Sequence, residues 1–297
     1  MLPRRRIHPL LLVVPFAIAA LFAFAACGDD NDDEAPAATN TPAEIPVDTP
    51  SGTIDISGVP ELDDGVLTVG SDIAYAPMEF YIEGTDTPDG LDVDLAKAIG
   101  EALSVDVEFL NIGFDGIIPA LNTEDFDVII SAMSIDEERS QQIDFVPYLS
   151  AGTGILVPAG NPNSIATETD LCGLTVAVQL GTIQETLVRG LSDACAEAID
   201  VKTFDTNPLA VEDLRTGGAD ANLADYPVAL LDATESDGDL EVLAAQVDPS
   251  PYGIGIRKSS TELAAVLEEA LQAVIASGDY DALLTKWNLE SAALPRD

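Results

Sequence analysis

Short apolar runs alternate with amphipathic stretches over most of the chain, and this order constrains the fold more than any other feature. In the first part of the pattern, strands are predicted at residues 66–70, 105–110 and 126–131, and helices at residues 91–103 and 114–121. The longer of these helices repeats apolar residues at the spacing of one helical face. A strand–helix–strand order of this kind predicts a mostly parallel sheet with helices on both faces.

The same order of elements returns in the second part of the chain. Strands are predicted at residues 174–178, 201–204 and 219–223, and helices at residues 182–191, 209–215 and 225–231. Two further helices, at residues 263–274 and 280–287, end the pattern. We therefore predict an α/β protein with two lobes, each a mostly parallel sheet flanked by helices.

Two segments rich in small residues and proline connect the repeated units, at residues 150–154 and 248–252. They are suited to a two-strand hinge, because hinge residues must absorb changes in backbone angles. The chain would then enter the second lobe once and return. Lobe 1 is predicted to contain residues 65–150 plus 252–297, and lobe 2 residues 154–248.

The amino terminus has the features of an export signal. Arginines at positions 4–6 precede an apolar run at residues 10–26, which is short for a membrane span and typical of a signal segment. The run ends in the letters FAAC, which resemble a bacterial lipobox with phenylalanine where leucine is usual. We expect residues 1–26 to be a signal peptide and Cys27 to carry a lipid. Cleavage at a nearby small residue, without a lipid, is the alternative.

Residues 27–64 change abruptly in composition to Asp, Glu, Pro, Thr and Ala, without a periodic apolar pattern. Such a segment buries too little apolar surface to offset its ordering entropy, so a flexible tether is predicted. A lipid and a tether would hold the folded part at the outer face of the cytoplasmic membrane.

The formal net charge is −41, from 53 acidic and 12 basic residues. This balance argues against nucleic-acid binding, which needs a basic surface. A cationic ligand or a salt-rich habitat would fit it, although an acidic surface that favours solubility is the simpler explanation.

Cysteine and histidine usage narrows the chemistry. With Cys27 assigned to lipid, Cys172 and Cys195 remain as a pair in an oxidising compartment, where a disulfide is expected. The one histidine of the chain, His8, lies in the predicted signal segment. A metal site of the His/Cys type and a Ser-His or Cys-His nucleophile are therefore not expected. We expect neither a metal nor a cofactor.

Open α/β sheets bind ligands outside the carboxyl ends of their strands, so the strand-to-helix junctions are the places where a site is expected. Ser134 and Glu137 have the spacing of a capping box, which predicts a helix that begins at Ser134. The amide groups at such a helix start favour an anion, and Arg139 adds a bidentate partner for a carboxylate. Ordinary capping beside a solvated arginine is the alternative.

Two further junctions lie in the predicted second lobe. Thr182 and Glu185 have the spacing of another capping box, and Gly181 before them would let the backbone approach a ligand. Asp225 ends a predicted strand and offers a carboxylate to an ammonium group. Each signal alone is also explained by helix capping. Together they provide groups for the carboxylate and the ammonium of an α-amino acid.

Six blocks in order carry a resemblance to a known family: LTVGSDIAYAPMEF, GLDVDLAKAIGEAL, FDGIIPALNTEDFDVIISAMSIDEER, LTVAVQLGTIQE, YGIGIRK and GDYDALLTKW. The chain resembles the solute-binding proteins of ABC transporters for polar amino acids, which have the type II periplasmic-binding fold. The resemblance spans residues 65–289. It implies capture of a free amino acid by closure of two lobes, and delivery to a membrane permease that works with a separate ATPase. A monomer that is not an enzyme is expected.

The resemblance also implies a clamp for the α-amino-acid group. In it, Arg139 holds the ligand carboxylate, with help from Ser134 and Thr182. Asp225 and the backbone near Ser131 accept from the ligand ammonium.

A second set of residues is implied to surround the ligand side chain. Tyr75 and Phe114 match aromatic positions that enclose it, Asp72 matches an acid that reaches a distal polar group, and Gln184 lies close enough to contribute. Asp72 and the acidic composition favour lysine, arginine or histidine. Glutamine, glutamate and cystine remain open.

Two other classes share this fold. Cyclohexadienyl dehydratases would use a general acid in the same cleft. Ligand-sensing receptor ectodomains would need a transmembrane helix after the second lobe, and the sequence ends at Asp297.

Overall fold

A computed structural model describes residues 53–295. The strands are β1 (Val66–Ser71), β2 (Ala74–Tyr75), β3 (Glu79–Tyr81), β4 (Pro88–Asp89), β5 (Asp106–Asn111), β6 (Val128–Ile129), β7 (Ile143–Pro158), β8 (Thr175–Gln179), β9 (Asp200–Phe204), β10 (Ala221–Asp225), β11 (Leu240–Val242) and β12 (Val247–Arg257). The α-helices are α1 (Leu91–Leu103), α2 (Ile117–Asn122), α3 (Glu137–Gln142), α4 (Ile183–Ala194), α5 (Asn207–Arg215), α6 (Tyr226–Glu235), α7 (Thr261–Ser277) and α8 (Asp279–Trp287). The predicted α/β class is confirmed.

The main sheet has the strand order β5-β1-β6-β12-β7-β10-β8-β9, and β11 pairs with the end of β7. On one side, β1 lies parallel to β5 and β6, and on the other side β8 lies parallel to β9 and β10. Strands β2, β3 and β4 form a small separate sheet. The parallel pairs explain why these strands read as continuous apolar runs, since helices cover both faces.

The two halves of the sheet are joined by the longest strands, β7 and β12. They pair antiparallel, from Val247 opposite Thr153 to Arg257 opposite Ile143. The amino-terminal part of β7 pairs with β12, and the carboxyl-terminal part of β7 pairs with β10 and β11. The carboxyl ends of β1 and β6 therefore face those of β8 and β10 across the junction.

Each half has its own apolar core. In the first half, α1 and α7 pack on the sheet and α8 packs on both of them, and α7 contributes a buried stripe that includes Leu263, Leu267 and Leu271. In the second half, one cluster around Val176 and Val188 and another around Leu156 cover opposite faces of the sheet. The cluster of the first half also reaches Ala224 and Val228 of the second half.

The folded part begins before the predicted end of the tether. Ile54, Val59 and Leu62 are buried in the core of the first half, and Pro60–Leu62 forms a 3₁₀ turn. Their irregular spacing gives no periodic signal, which is why the sequence pattern missed them. The predicted signal peptide, Cys27 and the start of the tether lie outside the described residues. Within residues 53–295, none of the helices is long and apolar enough to cross a bilayer.

The predicted disulfide is present. Cys172 and Cys195 are bonded, with their Cα atoms 5.5 Å apart, and they are 23 positions apart in sequence. The bond joins the loop before β8 to the residue that ends α4. It therefore fixes one end of the helix whose other end faces the junction.

Removal of this disulfide should lower stability. Because the bond closes a loop of moderate length, the Cys172→Ser/Cys195→Ser variant is expected to lose about 3 kcal/mol of unfolding free energy. Guanidinium unfolding measures this as a lower midpoint. Wild-type protein unfolded with a reductant is the control and should match the variant. Equal midpoints for the oxidised wild type and the variant would show that the bond does not stabilise the fold.

Candidate functional site

A narrow cavity lies between the two halves, at the carboxyl ends of the strands. The first half contributes Asp72, Tyr75, Glu79, Phe114, Ala132, Ser134 and Arg139, and the second half Gln179, Thr182, Ile183, Gln184 and Asp225. The two halves lie close together, so the cavity is nearly closed. The volume open to the centre of a water molecule is about 10 Å³, which is room for about one water. All the predicted ligand-binding side chains line it except Ser131, which is buried directly behind.

Arg139 is buried in the cavity wall, with 7% of its surface exposed. Its guanidinium donates to the carbonyl oxygens of Ser134 at 2.7 Å and Gly181 at 3.1 Å, so it touches both halves. It also lies 5.3 Å from the centre of the Phe114 ring and 3.6 Å from a carboxylate oxygen of Asp136. Burial lowers its pKa, but an arginine stays charged at neutral pH. A carboxylate would be a stronger acceptor for it than these carbonyls.

The predicted helix start at Ser134 is wrong. Helix α3 begins at Glu137 and its N-cap is Asp136, whose side chain accepts from the Arg139 amide at 2.7 Å. Ser134 instead forms a β-bridge with Tyr252. Backbone pairing with β12 therefore outcompeted local capping, and Ser134 lines the cavity as part of an extended segment. The anion-binding helix terminus expected here does not exist.

Asp225 faces Arg139 from the other half. It occupies the N-cap position of α6 but makes no capping bond, so both its oxygens point elsewhere. Oδ2 accepts from the Tyr75 hydroxyl and Oδ1 from the Gln184 amide, each at 2.9 Å. The Asp225 amide in turn donates to the Tyr75 oxygen at 2.9 Å. Burial raises the pKa of Asp225 to about 6, while these hydrogen bonds act in the opposite direction.

Asp72 follows β1 and also reaches across the junction. Its Oδ2 accepts from the Gln179 amide at 2.5 Å, and Gln179 donates as well to the carbonyl of Asp205. The Asp72 amide donates to Ser131 Oγ at 3.0 Å. Burial raises the pKa of Asp72 to about 6. Gln179 was not predicted, although its position at the carboxyl end of β8 is a signal that could have identified it.

The start of α4 matches its capping prediction in part. Thr182 is the N-cap and accepts from the Glu185 amide, but the Glu185 carboxylate accepts from the Gly181 amide and not from Thr182. Gly181 has φ +80°, and a Cβ atom there would lie 2.8 Å from the Cα of Asp115 in the opposite half. Glycine is needed at this point because two backbones meet across the junction.

Glu79 is a second cavity residue that sequence reasoning missed. It lies on β3, lines the cavity, and accepts from Ser131 Oγ at 2.7 Å. Burial and the nearby Asp92 carboxyl raise its pKa well above its usual value. Nothing in the local sequence separates Glu79 from the many surface acids of this chain. Its role depends on a contact with α1 that only the tertiary fold provides.

The cavity therefore combines one guanidinium with three carboxyl groups, those of Asp72, Glu79 and Asp225. Arg139 can hold an anionic group, and the acids can hold cationic groups on the other side. The aromatic rings of Tyr75 and Phe114 also line the cavity, Tyr75 beside Asp225 and Phe114 beside Arg139. An arrangement of this kind suits a small zwitterion better than a simple anion or cation.

Comparison with known proteins identifies the family of the chain. The sequence model of a protein family, the bacterial extracellular solute-binding proteins, family 3, matches residues 67–290 of this chain. The L-cystine-binding protein TcyJ of Escherichia coli K12 is 32% identical over 75% of this chain and 82% of its own length. An ancestral arginine-binding protein bound to arginine is 38% identical, with a TM-score of 0.71, over 75% of this chain and 98% of its own.

A further solved structure is the ancestral amino acid-binding protein AncCDT-1, described as a precursor of cyclohexadienyl dehydratase. It is 37% identical, with a TM-score of 0.70, over 76% of this chain and 96% of its own. The family match covers almost all of the residues that form the two halves and the cavity. The chain belongs to the bacterial extracellular solute-binding proteins of family 3.

Proposed function

We propose that this protein captures a free α-amino acid between its two halves outside the cytoplasm and delivers it to an ABC importer. The observation that carries the proposal is the placement of Arg139 and Asp225 from opposite halves in one small buried cavity. The similarity of the chain to a cystine-binding protein and to an arginine-binding protein supports the proposal.

In this proposal the ligand carboxylate binds the guanidinium of Arg139, with Ser134 and Thr182 beside it. The ligand would replace the carbonyl oxygens that now accept from Arg139. The ligand ammonium would donate to Asp225 and to the backbone near Ser131. Charge-assisted bonds in a dry cleft are strong, and an unpaired buried charge is costly, so both poles must be present.

The ligand side chain would lie between Tyr75 and Phe114 and extend toward Asp72 and Gln184. With Asp72 and Glu79 in the wall, a cationic side chain is favoured, and we propose arginine, lysine or histidine as the ligand. Cystine and glutamine are the alternatives. A cationic group would take the place of Gln179 as the partner of Asp72.

Closure would occur about β7 and β12, the strands that pass between the halves. The predicted hinge segments, residues 150–154 and 248–252, lie within these strands. Lobe 1 (residues 65–150 plus 252–297) would move as one body and lobe 2 (residues 154–248) as the other. A hinge of this type lets a ligand enter an open cleft and be buried on closure.

We infer that the protein acts as a lipid-anchored monomer at the outer face of the membrane. The proposed signal peptide, lipidated Cys27 and tether support this, as does membership of an extracellular family. Its proposed partners are a permease and the ATPase of that permease. We propose a binding role and not an enzymatic one, which agrees with the description of AncCDT-1 as an amino acid-binding protein. Turnover of prephenate or arogenate by the purified protein would instead identify a dehydratase.

Thermal unfolding of the exported domain with each amino acid in turn tests this function. A true ligand at 100 times its dissociation constant should add about 2.7 kcal/mol of stability. The Arg139→Ala variant should fold but lose roughly 3 to 5 kcal/mol of binding free energy, because the ligand carboxylate would be buried without a partner. Calorimetric titration measures the loss directly.

Arg189→Ala is the matched control, since Arg189 is an exposed arginine that pairs with Glu185 on α4 outside the cavity. It should bind like the wild type. Near-normal affinity in Arg139→Ala, or no stabilisation by any amino acid, would contradict the proposed function.

Affinity should fall in mild acid. Asp225 must be ionised to accept from an ammonium group, and its pKa is raised to about 6. Below this pH the carboxyl is protonated before the ligand arrives, so binding must release a proton. We expect the dissociation constant to rise by about tenfold per pH unit below pH 6.

Asp72, with a pKa also raised to about 6, provides an internal comparison. A ligand with a cationic side chain should require both carboxylates and show a steeper dependence than a neutral amino acid. Titration calorimetry between about pH 4.5 and 7.5 measures both slopes. An affinity that is independent of pH would show that neither carboxylate contacts the ligand.

A further inference from the structure

Two carboxyl groups are buried next to each other behind the cavity. Glu79 on β3 is 1% exposed and Asp92 on α1 is 0% exposed. They bind consecutive residues, because Glu79 accepts from the Ser131 side chain and Asp92 from the Ala132 amide, so their carboxyl groups are neighbours. Two ionised carboxylates at that separation and burial would repel strongly, so their arrangement needs an explanation.

One oxygen of each carboxyl is well satisfied. Glu79 Oε1 accepts from Ser131 Oγ at 2.7 Å, and Asp92 Oδ2 accepts from the Ala132 amide at 2.6 Å and the Tyr148 hydroxyl at 2.7 Å. The other oxygens, Glu79 Oε2 and Asp92 Oδ1, are buried and have no donor among the described residues. A proton held between these two atoms would satisfy both of them.

The surroundings disfavour a second negative charge on the pair. The titratable groups that face it are Asp72 after β1, Tyr75 on β2, Tyr148 on β7 and Asp225 on β10. All are acids or phenols. Arg139 lines the same cavity but donates to carbonyl oxygens. Burial raises the pKa of both Glu79 and Asp92, which agrees with one retained proton.

The pair also holds the turn that leads from β6 into the cavity. Ala132 has φ +42°, a left-handed conformation that costs energy for any residue except glycine. Asp92 accepts from the amide of this strained residue, and Glu79 accepts from the side chain of Ser131 before it. Ser134, whose carbonyl accepts from Arg139, lies two residues further on.

We propose that Glu79 and Asp92 share one proton and act together as a positioning pair, which holds the Ser131–Ala132 turn in the shape that the ligand site requires. This inference rests on the proposed function for the part that concerns ligand affinity. The shared proton is independent of it.

The Asp92→Asn variant tests the shared proton. Its amide oxygen can still accept from Ala132 and Tyr148, and its NH₂ group can donate to Glu79, so the variant reproduces the bonds and charge of the protonated pair. In the wild type, burial raises the pKa of Asp92 from 3.8 to about 6 and raises the pKa of Glu79 well above its usual value. The stability from holding the proton is therefore present at low pH and is lost as pH rises through the folded pKa values.

The melting temperature of Asp92→Asn, minus that of the wild type, should accordingly increase as the pH rises from about 4 through about 6. The increase should be about 3 to 5 °C for each tenfold difference in proton affinity between the folded and unfolded protein. Asp127→Asn is the matched control. Asp127 accepts from Thr68 before the start of β6, outside the cavity, so it reports the effect of the same substitution away from the pair, and the change for Asp92→Asn should be the larger of the two. A flat difference for Asp92→Asn would overturn the shared proton.

Ligand affinity tests the positioning role. Asp92→Ala should weaken binding by about tenfold or more, since the Ala132 amide loses its acceptor. Asp92→Asn should restore most of that loss because it keeps the acceptor. Equal weakening in both variants would overturn the positioning role, because Asp92→Asn keeps both the acceptor for the Ala132 amide and the charge of the protonated pair. If the wild type binds no amino acid, the proposed function fails, and the pH dependence of stability still decides whether the proton is shared.

Discussion

The structure depends on hydrogen bonds that cross between its halves in a buried space. Tyr75 pairs with Asp225, Gln179 with Asp72, and Arg139 with the carbonyl of Gly181. Each joins a group of the first half to one of the second. Buried polar groups are costly when unpaired, so these bonds allow the halves to approach closely. The same groups are the ones available to a ligand, and a ligand must therefore offer at least equal partners.

The charge of the cavity follows from this requirement. One guanidinium cannot neutralise three nearby carboxyl groups, and burial raises the pKa values of Asp72 and Asp225 to about 6. A cationic ligand group would relieve that imbalance by stabilising their ionised forms. The acidic cavity thus supports the proposed cationic ligand through an electrostatic argument that depends only on the residues of this chain.

Local signals failed where long-range pairing was stronger. The Ser134–Glu137 spacing predicts a cap, but the segment pairs with β12, and the helix begins at Glu137. Ile54 and Leu62 look like tether residues, but they fill the core of the first half. Gln179 was overlooked because its partner, Asp72, is distant in sequence. Glu79 was overlooked because its neighbour, Asp92, carries no distinctive motif.

The sequence by itself determined the order of strands and helices, the paired cysteines and most of the side chains that line the cavity. The order of elements follows from hydrophobic periodicity, and Arg139, Thr182 and Asp225 follow from residue types at strand ends, which are local properties of the chain. The other predicted cavity residues were implied by the resemblance to a known family. Only the tertiary structure decided which of these groups meet. It brought Arg139 and Asp225 into one cavity, turned Ser134 toward β12, and placed Glu79 and Asp92 on the consecutive residues Ser131 and Ala132. Distances and burial set the strength of electrostatic interactions, and both arise only when remote segments pack together.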